Sequence, residues 1–473
     1  MTSRLPMRAE AAETFDLAAF VAAYPEYVSA RLDAQRARDF ARLDRNAHVY
    51  LDYTGGGLYA ESHVREHAER LVSNVFGNPH SSNPSSLAMT ELVESARCAV
   101  LRHFNADPET YVVIFTPNAS GALKLVAESF PFAPGGAFAL TYDNHNSVNG
   151  IREYASARGA SVHYAPVRPP DMRLDDAALR AILDSPAGAA PRLFAYPAQS
   201  NYSGVLHPLG WIATAREHGW HVLLDAAAFA PTHALDLRQH QPDFVSLSFY
   251  KMFGYPTGVG ALLARRETLP RLRRPWFAGG TISYASVSSP RHDLHDGSEG
   301  FEDGTLNYLA LPAVEDGLRR LGGGLQAEIA RRALALTRYT LSQMTALRHA
   351  NGAPLVTVYG PIDGTQRAAA IAFNLLTPAG ALIDHRDVEQ RANARSISLR
   401  TGCFCNPGAG EAALGISSDE LASCFSRNDR MTIDTFRGCL SDKGSGAVRV
   451  SFGHASTFAD AEALLQLLAT FRA

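Results

Sequence analysis

Lysine is scarce in this chain of 473 residues: Lys124, Lys251 and Lys443 are the only ones, the remaining basic residues being arginines. Lys251 sits in Ser246-Leu247-Ser248-Phe249-Tyr250-Lys251-Met252-Phe253-Gly254, among aromatics at the end of an apolar run. A lysine kept there suggests amine chemistry, because a desolvated lysine can give up its proton and arginine cannot. Asp225 closes a second apolar run, Leu223-Leu224-Asp225; alone it reads better as a cap or turn former. Thr116-Pro117-Asn118-Ala119-Ser120-Gly121 opens a helix with small and hydroxyl residues, whose free N–H groups suit an anion such as phosphate, although Asn and Ser are also ordinary N-caps. Cysteines stand at 98, 403, 405, 424 and 439, with Cys403 and Cys405 inside Arg400-Thr401-Gly402-Cys403-Phe404-Cys405.

These residues need a scaffold that brings them to one edge. From about 110 to 265 short apolar runs alternate with amphipathic segments, the rhythm of βαβ units and a mainly parallel sheet. The pattern predicts strands near 111–116, 137–142, 160–165, 192–196, 221–225, 244–249 and 258–265, and helices over 120–130 and 209–218. In such α/β sheets ligands bind beyond the carboxyl ends of the strands, where all three features fall. A long helix over 325–350 leads to a smaller α+β domain with strands at 354–359, 368–375, 396–400 and 447–452 and helices at 384–393 and 458–471. The expected division is an N-terminal helical arm (1–45), a large α/β domain (46–325) and a small C-terminal domain (326–473). Residues 408–445, rich in Gly, Ser and Asp, read as an insertion with little regular structure.

A phosphate-binding helix start, an aspartate and a strand-end lysine are together what pyridoxal 5'-phosphate requires. In that combination the chain resembles class V, fold-type I pyridoxal-phosphate enzymes, in the cysteine desulfurase branch, and most of all the aminotransferase-like domain of molybdenum cofactor sulfurases. The resemblance runs from about Leu51 onward. It rests on LDYTGGGLY (51–59), FGNPHSSNPSS (76–86), DNHNSVNGIR (143–152), PAQSNYSG (197–204), LLDAAAF (223–229), SFYKMFGYPTGVGALL (248–263), FEDGTLN (301–307) and RTGCFCNPGAG (400–410).

The resemblance implies the fold-type I architecture, a seven-stranded, mainly parallel sheet plus the smaller domain. It implies Lys251 as the Schiff-base lysine, Asp225 as partner of the pyridinium nitrogen, and His145 stacked on the ring, with Asn144 where the family has a second histidine. Asn201 falls near the phenolic oxygen. Ala119, Ser120 and Ser248 take the phosphate with Tyr250, helped by Gly280 or Thr281 of a second subunit. Cys405 is the sulfur-accepting nucleophile, Arg449 is the better match for the arginine that grips the substrate carboxylate, with Arg400 the second candidate, and Asn307 is a further substrate-binding residue. Two departures stand out: Ala228 replaces the family's Gln or His three positions after the aspartate, and Tyr250 replaces a histidine before the lysine.

The implied activity is a cysteine desulfurase, delivering sulfur from L-cysteine through a Cys405 persulfide to an acceptor. A C–S lyase acting on a cysteine-derived thioether is the alternative, and a non-catalytic metal or persulfide carrier is the alternative from another class. The family's homodimer is expected. Eukaryotic molybdenum cofactor sulfurases carry a further C-terminal domain, whereas this chain ends at Ala473, so the expectation is a separate sulfur-acceptor partner.

The composition excludes other classes. Lys+Arg 44 against Asp+Glu 47 argues against a nucleic-acid or membrane-surface partner. No stretch is apolar enough to span a membrane. The N-terminus lacks an export signal, and an odd, uneven set of five cysteines fits a reducing, cytoplasmic compartment better than a disulfide framework. A four-thiolate zinc site from Cys403, Cys405, Cys424 and Cys439 is the competing reading, disfavoured because its spacings match no common zinc module. His63-Val64-Arg65-Glu66-His67 matches an inverted zinc-protease motif in form only, on what reads as a solvent-facing helix over 61–74. Cys98 reads as a core residue, and Asp293-Leu294-His295-Asp296 as a polar loop near a subunit interface.

Overall fold

The computed structural model describes residues 16–79, 81–186, 188–426, 432, 435, 438, 439 and 443–473. Its main sheet has seven strands, Tyr111–Thr116 (β1), Ala137–Thr141 (β2), Ser161–Ala165 (β3), Arg192–Pro197 (β4), His221–Asp225 (β5), Phe244–Ser248 (β6) and Gly260–Arg265 (β7), in the order β1-β7-β6-β5-β4-β2-β3. Strand β7 runs antiparallel to both neighbours, and the other pairs are parallel. Their sequences are near-continuous apolar runs because both faces are covered. Tyr111, Val113 and Phe115 enter one core, while Val112 and Ile114 enter the core on the opposite face. Edge strand β3 alone alternates exposed and covered positions.

Register brings the chemistry to one edge. Gly260 pairs with Thr116 on one side and with Ser248 on the other, and Asp225 pairs with Pro197 and Ser246. A side chain at Gly260 would sit 2.6 Å from the Asn118 backbone, so only glycine lets the helix start after β1 approach β6 this closely.

A second sheet, Val356–Tyr359 (β8), Ala370–Leu375 (β9), Arg400–Gly402 (β10) and Ala447–Ser451 (β11), is antiparallel in the order β8-β9-β11-β10. Its core takes residues from helices Leu325–Ala346 and Phe458–Ala469, and from the N-terminal helix Leu17–Ala23 through Phe20, which packs on Tyr27, Tyr339 and Phe458. Residues 49–52 run along this second sheet: Val49 and Tyr50 pair with Ile397 and Ser398, and Asp52 bridges to Ser451.

Several expectations are corrected. The segment from 408 carries two helices among the described residues, Pro407–Leu414, started by Asn406 as N-cap with Pro407 at the first position, and Ser418–Ser426, with Asp419 and Glu420 in its first turn. Residues 427–431, 433, 434, 436, 437 and 440–442 of that segment, like residues 1–15 of the arm, lie outside the described residues. Cys98 is exposed, one residue before the buried Ala99 of helix Pro84–His103. Helix Glu61–Ser73 buries His63 and His67; His63 Nε2 lies 2.8 Å from the Ala313 carbonyl and both rings meet Tyr255. His292–Leu294 is a strand paired with Ile282–Ala285, not a loop. Cys424 and Cys439 are joined as a disulfide because helix Ser418–Ser426 brings them within 5.8 Å at Cα. That pairing removes two thiols from the four-thiolate zinc reading, and no group of three or more metal-ligating side chains forms among the described residues.

Candidate active site

Lys251 lies in the single turn Phe249–Phe253 that follows β6 and ends at Gly254, whose φ of 79° is left-handed. A side chain at Gly254 would come within 2.2 Å of the Leu58 backbone, and one at Gly57 within 2.9 Å of the Lys251 carbonyl. The TGGG run of residues 54–57 thus lies directly against the lysine turn. Among the described residues the Lys251 ammonium has no hydrogen bond or ion pair. Burial pushes its pKa below the usual lysine range, only partly opposed by Asp225 and Asp52.

The lysine faces a cavity of about 200 Å³ lined also by Ala119, Ser120, His145, Asn201, Asp225, Ser248 and Tyr250. Each wall is held in place. At one end helix Ala119–Ser129 is capped by Asn118, which accepts from the Gly121 N–H at 2.9 Å; the Ala119 N–H donates to Ser248 Oγ at 3.0 Å, and the Ser120 and Ser147 hydroxyls meet at 2.6 Å. Asp225 is buried and both its hydrogen bonds, from the Ala227 N–H and the Ser246 hydroxyl, fall on Oδ1. His145 Nδ1 accepts from the Ser147 N–H at 3.1 Å, which assigns the ring proton to Nε2; burial lowers its pKa, so the ring is neutral at pH 7. Asn144 is fully buried and donates to the Thr141 and Ala195 carbonyls, so of the two neighbours it is His145 that lines the cavity. Ala228 lies on the same wall as Gln199.

Cys405 comes from the second sheet, just after β10. Its thiol is exposed and close enough to Lys251, Tyr250 and Arg449 to act on the charge of each. Phe404 and Cys405 both adopt left-handed φ, 54° and 55°. Arg449 on β11 is 3% exposed; it donates to the Asn201 carbonyl at 2.6 Å and pairs with Asp52 at 2.9 Å, and its guanidinium lies 4.8 Å from the centre of the Phe404 ring. Arg400 takes the other Asp52 oxygen at 2.7 Å from a half-exposed position.

Three predicted residues stand elsewhere within this chain. Gly280 lines an open cleft with Pro79, His295 and Glu299, Thr281 turns its hydroxyl onto the Ala278 carbonyl, and Asn307 lines a cavity of about 400 Å³ on the other side of Thr116 and Gly121. Sequence reasoning missed Asp52, Gln199 and Asn406. All three lie inside quoted motifs, but the partners of Asp52 and Asn406, Arg449 and Asn201, are hundreds of residues away.

Comparison with known proteins agrees with this arrangement. The chain is 40% identical over 471 residues to the molybdenum cofactor sulfurase of Bos taurus, covering 94% of this chain and 52% of that protein. It is 37% identical over 494 residues to that of Arabidopsis thaliana, covering 94% and 59%. The chain therefore spans about half the length of the curated relatives it matches. Among solved structures its fold is similar to that of an apo cysteine desulfurase from Thermococcus onnurineus NA1, with a TM-score of 0.76, 23% identity and coverage of 93% of this chain and 97% of the other. A cysteine desulfurase from Escherichia coli matches at 0.72, with 21% identity, over 93% and 98%. The aminotransferase class-V family model matches residues 49–464, and with Lys251 and Asp225 at the edge of this sheet the chain belongs to that family.

Proposed function

We propose that the protein is a pyridoxal-phosphate-dependent cysteine desulfurase of the molybdenum cofactor sulfurase kind, taking sulfur from L-cysteine onto Cys405 and releasing alanine. The observation that carries this reading is a buried lysine without a polar partner among the described residues, in the same cavity as a buried carboxylate, with an exposed cysteine next to Phe404, whose carbonyl is bound by the cavity-lining Asn201.

The cavity fits the cofactor. The N-terminus of helix Ala119–Ser129 offers backbone donors and a favourable dipole to a phosphate, with the hydroxyls of Ser120 and Ser248 beside it. Asp225 keeps Oδ2 free of other hydrogen bonds for a protonated ring nitrogen, and His145 offers a neutral ring face. When bound, pyridoxal phosphate supplies an aldehyde carbon for amines and a ring that accepts electrons. Lys251, held toward its neutral form, is the amine that would hold the cofactor and would carry a proton during turnover. Arg449 grips the substrate carboxylate through its planar fork, with Arg400 next to it. The Cys405 thiolate attacks the substrate sulfur; the S–S bond forms as the C–S bond breaks, its electron pair stays with carbon, and a proton delivered by Lys251 completes alanine.

Wider assignments rest on the same reading. A homodimer is supported by the exposed apolar side chains Trp276, Phe277, Tyr284 and Val287 around the Gly279-Gly280-Thr281 turn, which in a second subunit would complete the phosphate end. The persulfide passes to an acceptor, the molybdenum cofactor or a partner protein. No helix among the described residues is long and apolar enough to cross a membrane, and a cytoplasmic site of action is part of the proposal.

The test is purified protein with pyridoxal phosphate and L-cysteine, scored for alanine and protein-bound persulfide together. Equal yields of the two are expected. Pyruvate with free sulfide would replace this reading by an elimination lyase, and failure to bind the cofactor would replace it by a carrier.

A further inference from the structure

The segment that carries Cys405 is held by two carboxamides: Asn406, which has no assigned role in sulfur transfer, and Asn201, which lines the cavity. Asn406 is fully buried. Its Nδ2 donates to the Asp143 carbonyl at 2.7 Å and to Asn201 Oδ1 at 2.9 Å. Its Oδ1 accepts from the Ala409 N–H at 3.2 Å, capping helix Pro407–Leu414. Asn201 in turn donates through Nδ2 to the Phe404 carbonyl at 2.7 Å. The orientation of both amides follows from their partners: a carbonyl can only accept and a backbone N–H can only donate. The result is a closed ring, Asn406 to Asn201 to Phe404 and back along the chain through Cys405, gripping the backbone on either side of the thiol.

A further tie comes from the same 143–146 turn, where the Asn146 N–H donates to the Cys405 carbonyl at 2.7 Å. Asn146 directly follows His145, and Asp143 precedes it by three, so the loop is fastened to the turn that presents His145 to the cavity. These bonds have work to do. Two successive non-glycine residues in the left-handed region form a disfavoured backbone that persists only where its surroundings hold it.

We propose that Asn406 is the positioning residue of Cys405. Its Nδ2 donors dock the thiol-bearing loop onto the Asp143–Asn201 wall, holding the left-handed turn that keeps the sulfur over the cavity. The proposal rests on the desulfurase reading for its catalytic consequence and on the geometry alone for the docking.

Asn406→Asp separates the two functions of this side chain, because it keeps the Oδ1 cap of Ala409 and removes the Nδ2 donors; Asn406→Ala removes both. In the enzyme loaded with pyridoxal phosphate, both variants should lower kcat for L-cysteine at least tenfold with KM and the visible absorbance of the bound cofactor unchanged. In hydrogen exchange, the Asn146 amide, whose acceptor is the Cys405 carbonyl, and the Asn406 amide should exchange at least tenfold faster, while peptides spanning 248–254 stay as in the wild type. Exchange that remains slow in Asn406→Asp would overturn the docking, and undiminished kcat despite fast exchange would overturn the positioning role. A defect confined to Asn406→Ala would reduce the residue to a helix cap and overturn the proposal, and an Asn406→Ala chain that fails to fold leaves Asn406→Asp to decide. If the wild type transfers no sulfur from L-cysteine, the function proposed above fails by itself, and the exchange rates alone then uphold or overturn the docking.

Discussion

Asp52 Oδ1 lies 2.9 Å from Nη2 of Arg449, and both side chains are buried. The pair joins the chain just before the glycine run to the strand that would grip the substrate. Arg400 shares the same carboxylate from a half-exposed position. Removing one partner of a buried pair strands the other charge, so Asp52→Asn should destabilise the protein by about 3 kcal/mol. Arg400→Gln should cost under about 1 kcal/mol, because its pair is partly solvated. Urea unfolding of the two variants measures the contrast; equal losses would show that the Arg449 pair is not the dominant one.

Lys251→Ala should abolish a borohydride-stable cofactor adduct, seen by mass spectrometry of the intact chain. Lys124 is paired with Glu128 and Lys443 with Glu420, and neither lines the cavity. An adduct on either would refute the assignment.

Cys405→Ser should retain cofactor binding but lose persulfide and alanine formation by at least a hundredfold, since a hydroxyl is a far weaker nucleophile toward sulfur. Cys403→Ser should keep most of the activity, because Cys405, not Cys403, acts on the charge of Lys251 and Arg449. The two variants are compared in one assay for alanine and persulfide.

His454 is buried between Phe40 and Tyr53, and burial pushes its pKa down to about 4. The unfolded chain binds this proton near the ordinary value of about 6.5. Between those two values the unfolded state therefore holds more protons, and stability falls as pH is lowered, by up to about 1.4 kcal/mol per pH unit for this one group. Unfolding free energies at pH 7 and pH 5 should show a smaller difference in His454→Gln than in the wild type.

With Cys424 and Cys439 paired and Cys98, Cys403 and Cys405 free, thiol titration of the denatured, unreduced protein should give three thiols per chain, rising to five after reduction. A count of five before reduction would remove the disulfide.

Much of the scaffold was legible because it is written in local periodicity. Strands β1 and β5 fall where their apolar runs lie, residues 111–116 and 221–225, because a strand covered on both faces reads as a near-continuous apolar run. Lys251 and Asp225 stood out because each closes such a run, and strand ends are where an open sheet binds ligands. Helices Pro407–Leu414 and Ser418–Ser426 were hidden by Gly and Ser, which lower helix propensity but do not forbid a helix whose start is capped. Cys98 was misplaced because one residue on a helix turns the side chain by about 100°.

Residue type and spacing determined by themselves which strands form the main sheet, where its edge lies and which lysine and aspartate meet there. Only the tertiary structure decided how Cys405 is presented. Asn406 and Asn201 are 205 residues apart, and Arg449 and Asp52 are 397 apart, yet each pair is within hydrogen-bond reach. No periodicity of the chain encodes such contacts. They arise when the two sheets pack and the buried donors and acceptors between them compete for partners, a condition on the assembled whole rather than on any segment.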